Sequence, residues 1–160
     1  MIYSLNTYKR KVSMMKKILI PVDSSDFSEM AVEEGVKMVN AFGCKVVLLY
    51  VVHITEINPR FGIQLSHVEK EDTDIFNEEK GAREMLDKYK ELFGDRKDKV
   101  ETILVHGHVV DEIMKAINDN DTDFVIMGSH GIGSALYRTI LGSVANKIVH
   151  HSTKPVLVVK

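Results

Sequence analysis

Apolar residues fall in five short runs along the chain, separated by longer segments in which they recur every three or four positions. The runs are KKILIPVD (16–23), CKVVLLYVVH (44–53), KVETILVH (99–106), DFVIMGS (123–129) and KPVLVVK (154–160). All are rich in Val, Ile and Leu. The second and fourth are nearly continuous, as strands covered on both faces must be. The segments between them predict helices. Over 26–42, Phe27, Ala31, Gly35, Met38 and Phe42 line one face, with Asp26 as N-cap, Glu29 as its capping-box partner and Gly43 as the stop. Over 76–93 the stripe is Ala82, Met85, Leu86, Tyr89 and Phe93, ended by Gly94. The segment 109–119 offers Val110, Ile113, Met114 and Ile117, and 143–151 offers Val144, Ile148 and Val149. Strands alternating with helices imply right-handed crossovers and a parallel sheet. The expected fold is therefore α/β: a single doubly wound, Rossmann-like domain, with a five-stranded parallel sheet and helices on both faces.

Composition narrows the function classes. The chain has 160 residues, enough for one domain, and its net charge of −2 gives no electrostatic case for nucleic acid or an anionic membrane. No apolar run approaches the roughly 20 residues of a membrane span. Cys44 is the single cysteine, which excludes an internal disulfide and predicts a buried small hydrophobe in a reducing compartment. Residues 1–15 are mixed polar and basic, without the apolar core of a secretion signal. They are expected to be a disordered tail, with Met14 or Met15 as an alternative start, ahead of a domain over 16–160. The expected location is cytoplasmic.

Two segments depart from the regular pattern. The stretch 54–74 is polar and longer than an ordinary connection. It leaves the second strand at the carboxyl edge of the sheet, where ligands of open α/β sheets bind. A mobile surface loop and a lid both fit it. The stretch GSHGIGSALYRTILGS, 128–143, holds four of the ten glycines. It follows the fourth strand, which ends at Met127, and runs into a helix opening at Gly142 and Ser143. Strand, glycine-rich loop and helix N-terminus together make an anion site, because the first-turn N–H groups lack intrahelical partners. Ser143 adds a hydroxyl, as N-cap or as a phosphate or metal contact. The loop is neither a Walker A sequence nor G-x-G-x-x-G, since Leu136 stands at the third glycine position. A glycine-rich surface turn is the competing reading.

The same residues carry a resemblance. VIMGSHG…ILGSVANKIVHHSTKPVLVV resembles the G-x2-G-x9-G-[ST] signature and closing strand of the universal stress protein family, in its nucleotide-binding branch. ILIPVDSSDFSEMA resembles that family's first strand and helix, and the likeness runs from Lys16 to Lys160. It implies a fold of the adenine nucleotide alpha hydrolase type and a bound ATP with Mg²⁺ or Mn²⁺ shared among phosphate oxygens. By position it implies nucleoside contacts at Pro21, Val22 and Asp23, and adenine contact through the backbone at Val51 or Val52. Gly128, Gly131, Gly142 and Ser143 would wrap ribose and phosphates, with Met127, His130 and Val144 completing the set. Asp23 also suits ribose hydroxyls or a metal on chemistry alone. Between Gly131 and Gly142 stand ten residues, IGSALYRTIL, where the family pattern has nine. Reading back from RTILGS places the extra residue around Ile132 to Ser134, with Gly133 as a bulge.

Other candidates are weaker. His130 is read either as a phosphate donor or as a solvated loop side chain, and Arg138 as a solvated arginine or a phosphate partner. His106 and His108, with Asp111 and Glu112, suggest only an incomplete metal site. His150 and His151 suit a helix C-terminus. No G-x-S-x-G occurs and no serine is expected to sit beside an evident base, so a nucleophilic triad has no support. The last strand, Pro155, Val156, Leu157, Val158 and Val159, reads as an edge that a second copy would cover, and the resemblance implies the same homodimer. The expected function is a regulatory or stress-response ATP-binding homodimer with an unknown protein partner. Its alternatives are a slow ATPase or nucleotidyl transferase, with His130 or Asp23 active, and an interaction module with an empty cleft.

Overall fold

A computed structural model describes residues 16–53, 72–119, 121–132 and 141–160. The elements follow in the order β1 (Lys17–Pro21), α1 (Asp26–Phe42), β2 (Lys45–His53), α2 (Asp72–Glu91), a 3-10 turn (Gly94–Lys99), β3 (Val100–Gly107), α3 (Val109–Asp119), β4 (Phe124–Gly128), α4 (Ser143–His151) and β5 (Val156–Val159). The strands form one sheet in the order β3-β2-β1-β4-β5, every pairing parallel. The chain winds outward from β1 through β2 to β3, then returns to β1's other side for β4 and β5. The direction reverses between β1 and β4, and this is where a doubly wound sheet opens a crevice at its carboxyl ends.

Strand alternation sorts the core onto two faces. Ile18, Ile20, Val46, Leu48 and Ile126 point to one side, where α1 and α2 cover them with Ala31, Val32, Val39, Leu86 and Tyr89, joined by Phe93 just beyond α2. Leu19, Val47, Leu49, Val125 and Met127 point to the other, beneath Ile113, Ala116 and Ile117 of α3 and Ala145 and Ile148 of α4. Both faces of the central strands are dry, which is why their sequences read as continuous apolar runs. Cys44 is buried, and that burial pushes its thiol pKa up, as expected of a structural cysteine.

The helix register differs from expectation in three places. The N-cap of α1 is Ser25, whose side chain accepts from Ser28 N, while Asp26 and Glu29 lie in the first turn. The buried face of α1 is Ser28, Ala31, Val32, Gly35 and Val39. Phe42, in the last position of the helix, is 58% exposed, so it does not belong to that stripe. On α4 the sheet-facing pair is Ala145 and Ile148, three residues apart. Val149, one step and about 100° further round, is exposed. Gly43 does end α1, in a left-handed conformation (φ 68°) with its N–H on the Val39 carbonyl. Helix α2 stops at Glu91, and Gly94 opens the 3-10 turn. Of the long connection, 54–71 lies outside the described residues; 72–74 form the start of α2.

Candidate functional site

At the switch point a cleft of about 400 Å³ opens on the carboxyl side of the sheet. Its volume falls in the range of roughly 300–1,000 Å³ usual for small-molecule pockets. Strand β1 and the turn after it bring Pro21, Val22 and Asp23 to one wall; β2 brings Val51; β4 and the following loop bring Met127, Gly128, His130 and Gly131; α4 closes the far side with Gly142, Ser143 and Val144. Of the residues expected here, Val52 alone stays out. Its side chain is buried, whereas Val51 packs on the α3 face and reaches the cleft. Gly133, Ser134 and Arg138 lie outside the described residues, so the extra loop residue falls largely there. Ile132, at its start, is an exposed turn residue.

Two glycines lie close against neighbouring backbone. A Cβ on Gly128 would stand 2.9 Å from the carbonyl carbon and oxygen of Phe27, so a side chain would drive the first turn of α1 off the sheet. Gly142 donates its N–H to Ser129 O at 2.8 Å, and a Cβ there would meet that same oxygen at 3.1 Å. The two ends of the glycine loop are thus pinned together across β4. Much of the glycine signal read as phosphate-approach chemistry has this packing origin.

Asp23 sits in a dense polar cluster. Its Oδ1 accepts from Ser25 N (3.0 Å), Ser25 Oγ and Ser28 Oγ (2.7 Å), and its Oδ2 accepts from Ile132 N (3.1 Å). Its own N–H donates to Ser28 Oγ at 2.9 Å, and its carbonyl accepts from Tyr89 OH at 3.2 Å. Burial, helped by Glu29, Asp23 and Asp26, pushes the Tyr89 phenol up to about 12, so it remains a donor at neutral pH. Tyr50, on the cleft wall, is likewise pushed up by burial, with Glu78 and Asp23 adding to it.

His130 is buried, at 7% exposure, which removes the reading of a solvated loop side chain. Its Nδ1 lies 3.0 Å from Ser129 Oγ and its ring 5.3 Å from that of Phe27, while Nε2 has no hydrogen-bond partner among the described residues. A serine therefore does stand beside a base, a pairing of sequence neighbours that a search for distant triad members passes over. Ser28, Tyr50, Glu78 and His53 also line the cleft without having been singled out; each sits in a helix or strand stripe that reads as ordinary packing.

The start of α4 has an unusual electrostatic balance. Its N-cap is Gly142, with no side-chain cap, and its first turn carries no acidic residue. Helices α1 and α3 each place two carboxylates there, Asp26 and Glu29, and Asp111 and Glu112. Ser143 is the first helical residue rather than the cap. No lysine or arginine is among the described residues lining the cleft.

Three further histidines have local partners. His106 Nε2 is 2.7 Å from Glu79 Oε1 on α2, His108 Nδ1 is 3.6 Å from Asp111 Oδ2, and His150 Nδ1 is 2.9 Å from the Asn146 carbonyl. Among the described residues no three His, Cys, Asp or Glu side chains converge as metal ligands. No described helix is long and apolar enough to cross a membrane.

A parallel sheet wound both ways, with a glycine-rich loop and an open helix end at its switch point, defines a class of α/β ligand-binding fold. Within that class the model of the universal stress protein family matches residues 14–160, and the chain belongs to this family. It is similar to universal stress protein MJ0577 of Methanocaldococcus jannaschii, 35% identical over 156 residues, covering 92% of this chain and 96% of that one. The solved structure of MJ0577 superposes with a TM-score of 0.76 at 34% identity, over 92% of this chain and 96% of that chain. The same fold appears in a universal stress protein from Archaeoglobus fulgidus in complex with dAMP (TM-score 0.63, 20% identity, 92% and 99% coverage). It appears again in a universal stress protein in complex with cAMP (TM-score 0.63, 18% identity, 91% and 97% coverage).

Proposed function

We propose that the cleft binds ATP, with Mg²⁺ or Mn²⁺ carried on the phosphates, and that the protein is a regulatory nucleotide-binding homodimer. The observation that carries this reading is the open end of α4. First-turn N–H groups and the positive end of the helix dipole face a cleft without a capping carboxylate. That arrangement favours an anion. The rest of the lining fits a nucleotide: Val51, Val109, Ile113 and Met127 offer an apolar slot, and the buried Nε2 of His130 lacks a partner among the described residues. The complexes of related folds with dAMP and cAMP support the same ligand class. Gly131, Gly142 and Ser143 are the residues that would hold ribose and phosphates. The bound metal would supply charge neutralisation of the phosphate oxygens.

Binding without rapid turnover suits this lining, because phosphoryl transfer relies on cations positioned around the transferring group and the described lining has no lysine or arginine. For the homodimer, the support is β5. It is one of the sheet's two edge strands, and its outer N–H and C=O groups need a partner. Pro155 precedes it and accepts from Val125 N. Calorimetry of ATP with Mg²⁺ tests the central reading. Micromolar binding, about −8 kcal/mol, is expected for the wild type and lost in Gly131→Val, whose side chain would crowd Asp23 Oδ2 (a Cβ at 2.8 Å). No heat and no thermal shift with the wild type would refute it.

A further inference from the structure

Every hydrogen-bonding atom of Asp23 is engaged, and its partners come from three separate parts of the chain. Oδ1 serves the start of α1 through Ser25 and Ser28, the carbonyl takes Tyr89 of α2, and Oδ2 takes the N–H of Ile132, 109 residues away. A Cβ on Gly131 would stand 2.8 Å from the same Oδ2. Ile132 is the last described residue of the loop after β4, so this carboxylate oxygen holds the described part of the loop, Ser129 to Ile132, at its far end.

We propose that Asp23 is a positioning residue that ties the glycine loop to the start of α1, and that nucleotide affinity depends on this tie. The proposal rests on the nucleotide reading of the cleft. It differs from the expectation that Asp23 serves ribose or metal directly, since here the carboxylate acts through the loop. An untied loop must be ordered by the ligand, and that ordering cost is subtracted from affinity. The loss should fall mostly on the dissociation rate.

The chemistry supplies a selective probe. Asp23→Asn keeps the size and shape of the side chain but has one accepting oxygen. Three donors converge on the Oδ1 side, from Ser25 N, Ser25 Oγ and Ser28 Oγ, so the amide oxygen settles there. The amide NH₂ then faces Ile132 N–H, donor against donor, and the tie breaks while the cap of α1 survives. From the other side, Ile132→Pro removes the N–H at a residue whose side chain is exposed; Ile132→Ala keeps it.

The test combines amide hydrogen exchange at residue 132 in the nucleotide-free protein with the dissociation rate of ATP and Mg²⁺. Exchange at Ile132 should accelerate roughly tenfold or more in Asp23→Asn, as expected for loss of a hydrogen bond to a charged acceptor, with the α1 amides unchanged. ATP should leave faster by a similar factor in Asp23→Asn and in Ile132→Pro, the double variant should lose no more than either single one, and Ile132→Ala, which keeps the N–H, should lose far less than Ile132→Pro. Unchanged exchange at Ile132 in Asp23→Asn overturns the tie, as do strictly additive losses in the double variant. Should Asp23→Asn fail to fold, Ile132→Pro against Ile132→Ala decides the question. A wild type that binds no ATP sinks the nucleotide reading and the affinity dependence together, whereas the exchange experiment still decides the tie alone.

Discussion

Helices α1 and α4 both begin at the carboxyl edge of the sheet, one after β1 and the other after β4, yet their N-termini are built in opposite ways. The start of α1 is closed by its own sequence. Ser25 caps it, Asp26 and Glu29 answer its dipole, and Ser25 and Ser28 are bonded to Asp23, whose carbonyl takes the Tyr89 hydroxyl. The start of α4 has a glycine cap, no side-chain cap bond and no first-turn carboxylate. One helix end is satisfied internally and serves stability; the other keeps its donors for whatever enters the cleft. The two lie on opposite sides of that cleft, linked by Asp23 reaching to Ile132.

The closed end should be expensive to open. Tyr89 is buried and its phenol is raised to about 12, against about 10 unfolded, so the folded state holds this proton more tightly. The resulting stability is fully present below pH 10 and is lost as pH rises from 10 through 12. Urea unfolding across that window should show the fall, and Tyr89→Phe should abolish this contribution. Next in size is the cap. Ser25→Ala should cost about 1–2 kcal/mol in the same assay, while Ser143→Ala, at an exposed first-turn position that caps nothing, should stay within about 0.5 kcal/mol. Equal costs for the two serines would break the comparison. The smallest stability effect sharpens it most. Ser143→Asp should stabilise the protein by roughly 0.3–1 kcal/mol, because a carboxylate answers the helix dipole, and should weaken ATP binding by placing a negative charge beside the phosphates.

Most of the architecture was legible from apolar periodicity, because strands buried on both faces and helices buried on one leave distinct patterns. The limits of α1, α3 and α4 were read correctly. The errors lie where several residues of one chemistry compete. In DSSDFSE, Asp23, Ser25 and Asp26 are all plausible caps, and it is the bonding of Asp23 to Ser25 and Ser28 that goes with Ser25 as the cap. Phe42 and Val149 fit a spacing rule but lie beyond or beside the sheet that would bury them. For the cleft, order along the chain was enough to gather Asp23, Val51, Gly131 and Ser143 at one edge, since parallel strands deliver their carboxyl ends to the same side. It could not reveal that Gly128 and Gly142 are held by contacts with Phe27 and Ser129, or that His130 is buried. Those facts depend on which backbone passes within 3 Å, and no local pattern encodes that.

The most direct measurement is a calorimetric series of ATP, ADP, AMP and adenosine with Mg²⁺ on the wild type and on Ser143→Asp. If the open end of α4 is an anion site, affinity should rise with the number of phosphates, ATP exceeding adenosine by at least about tenfold, or 1.4 kcal/mol. Ser143→Asp should flatten the series while leaving adenosine unchanged. Adenosine binding as tightly as ATP, or a series untouched by Ser143→Asp, would contradict the account.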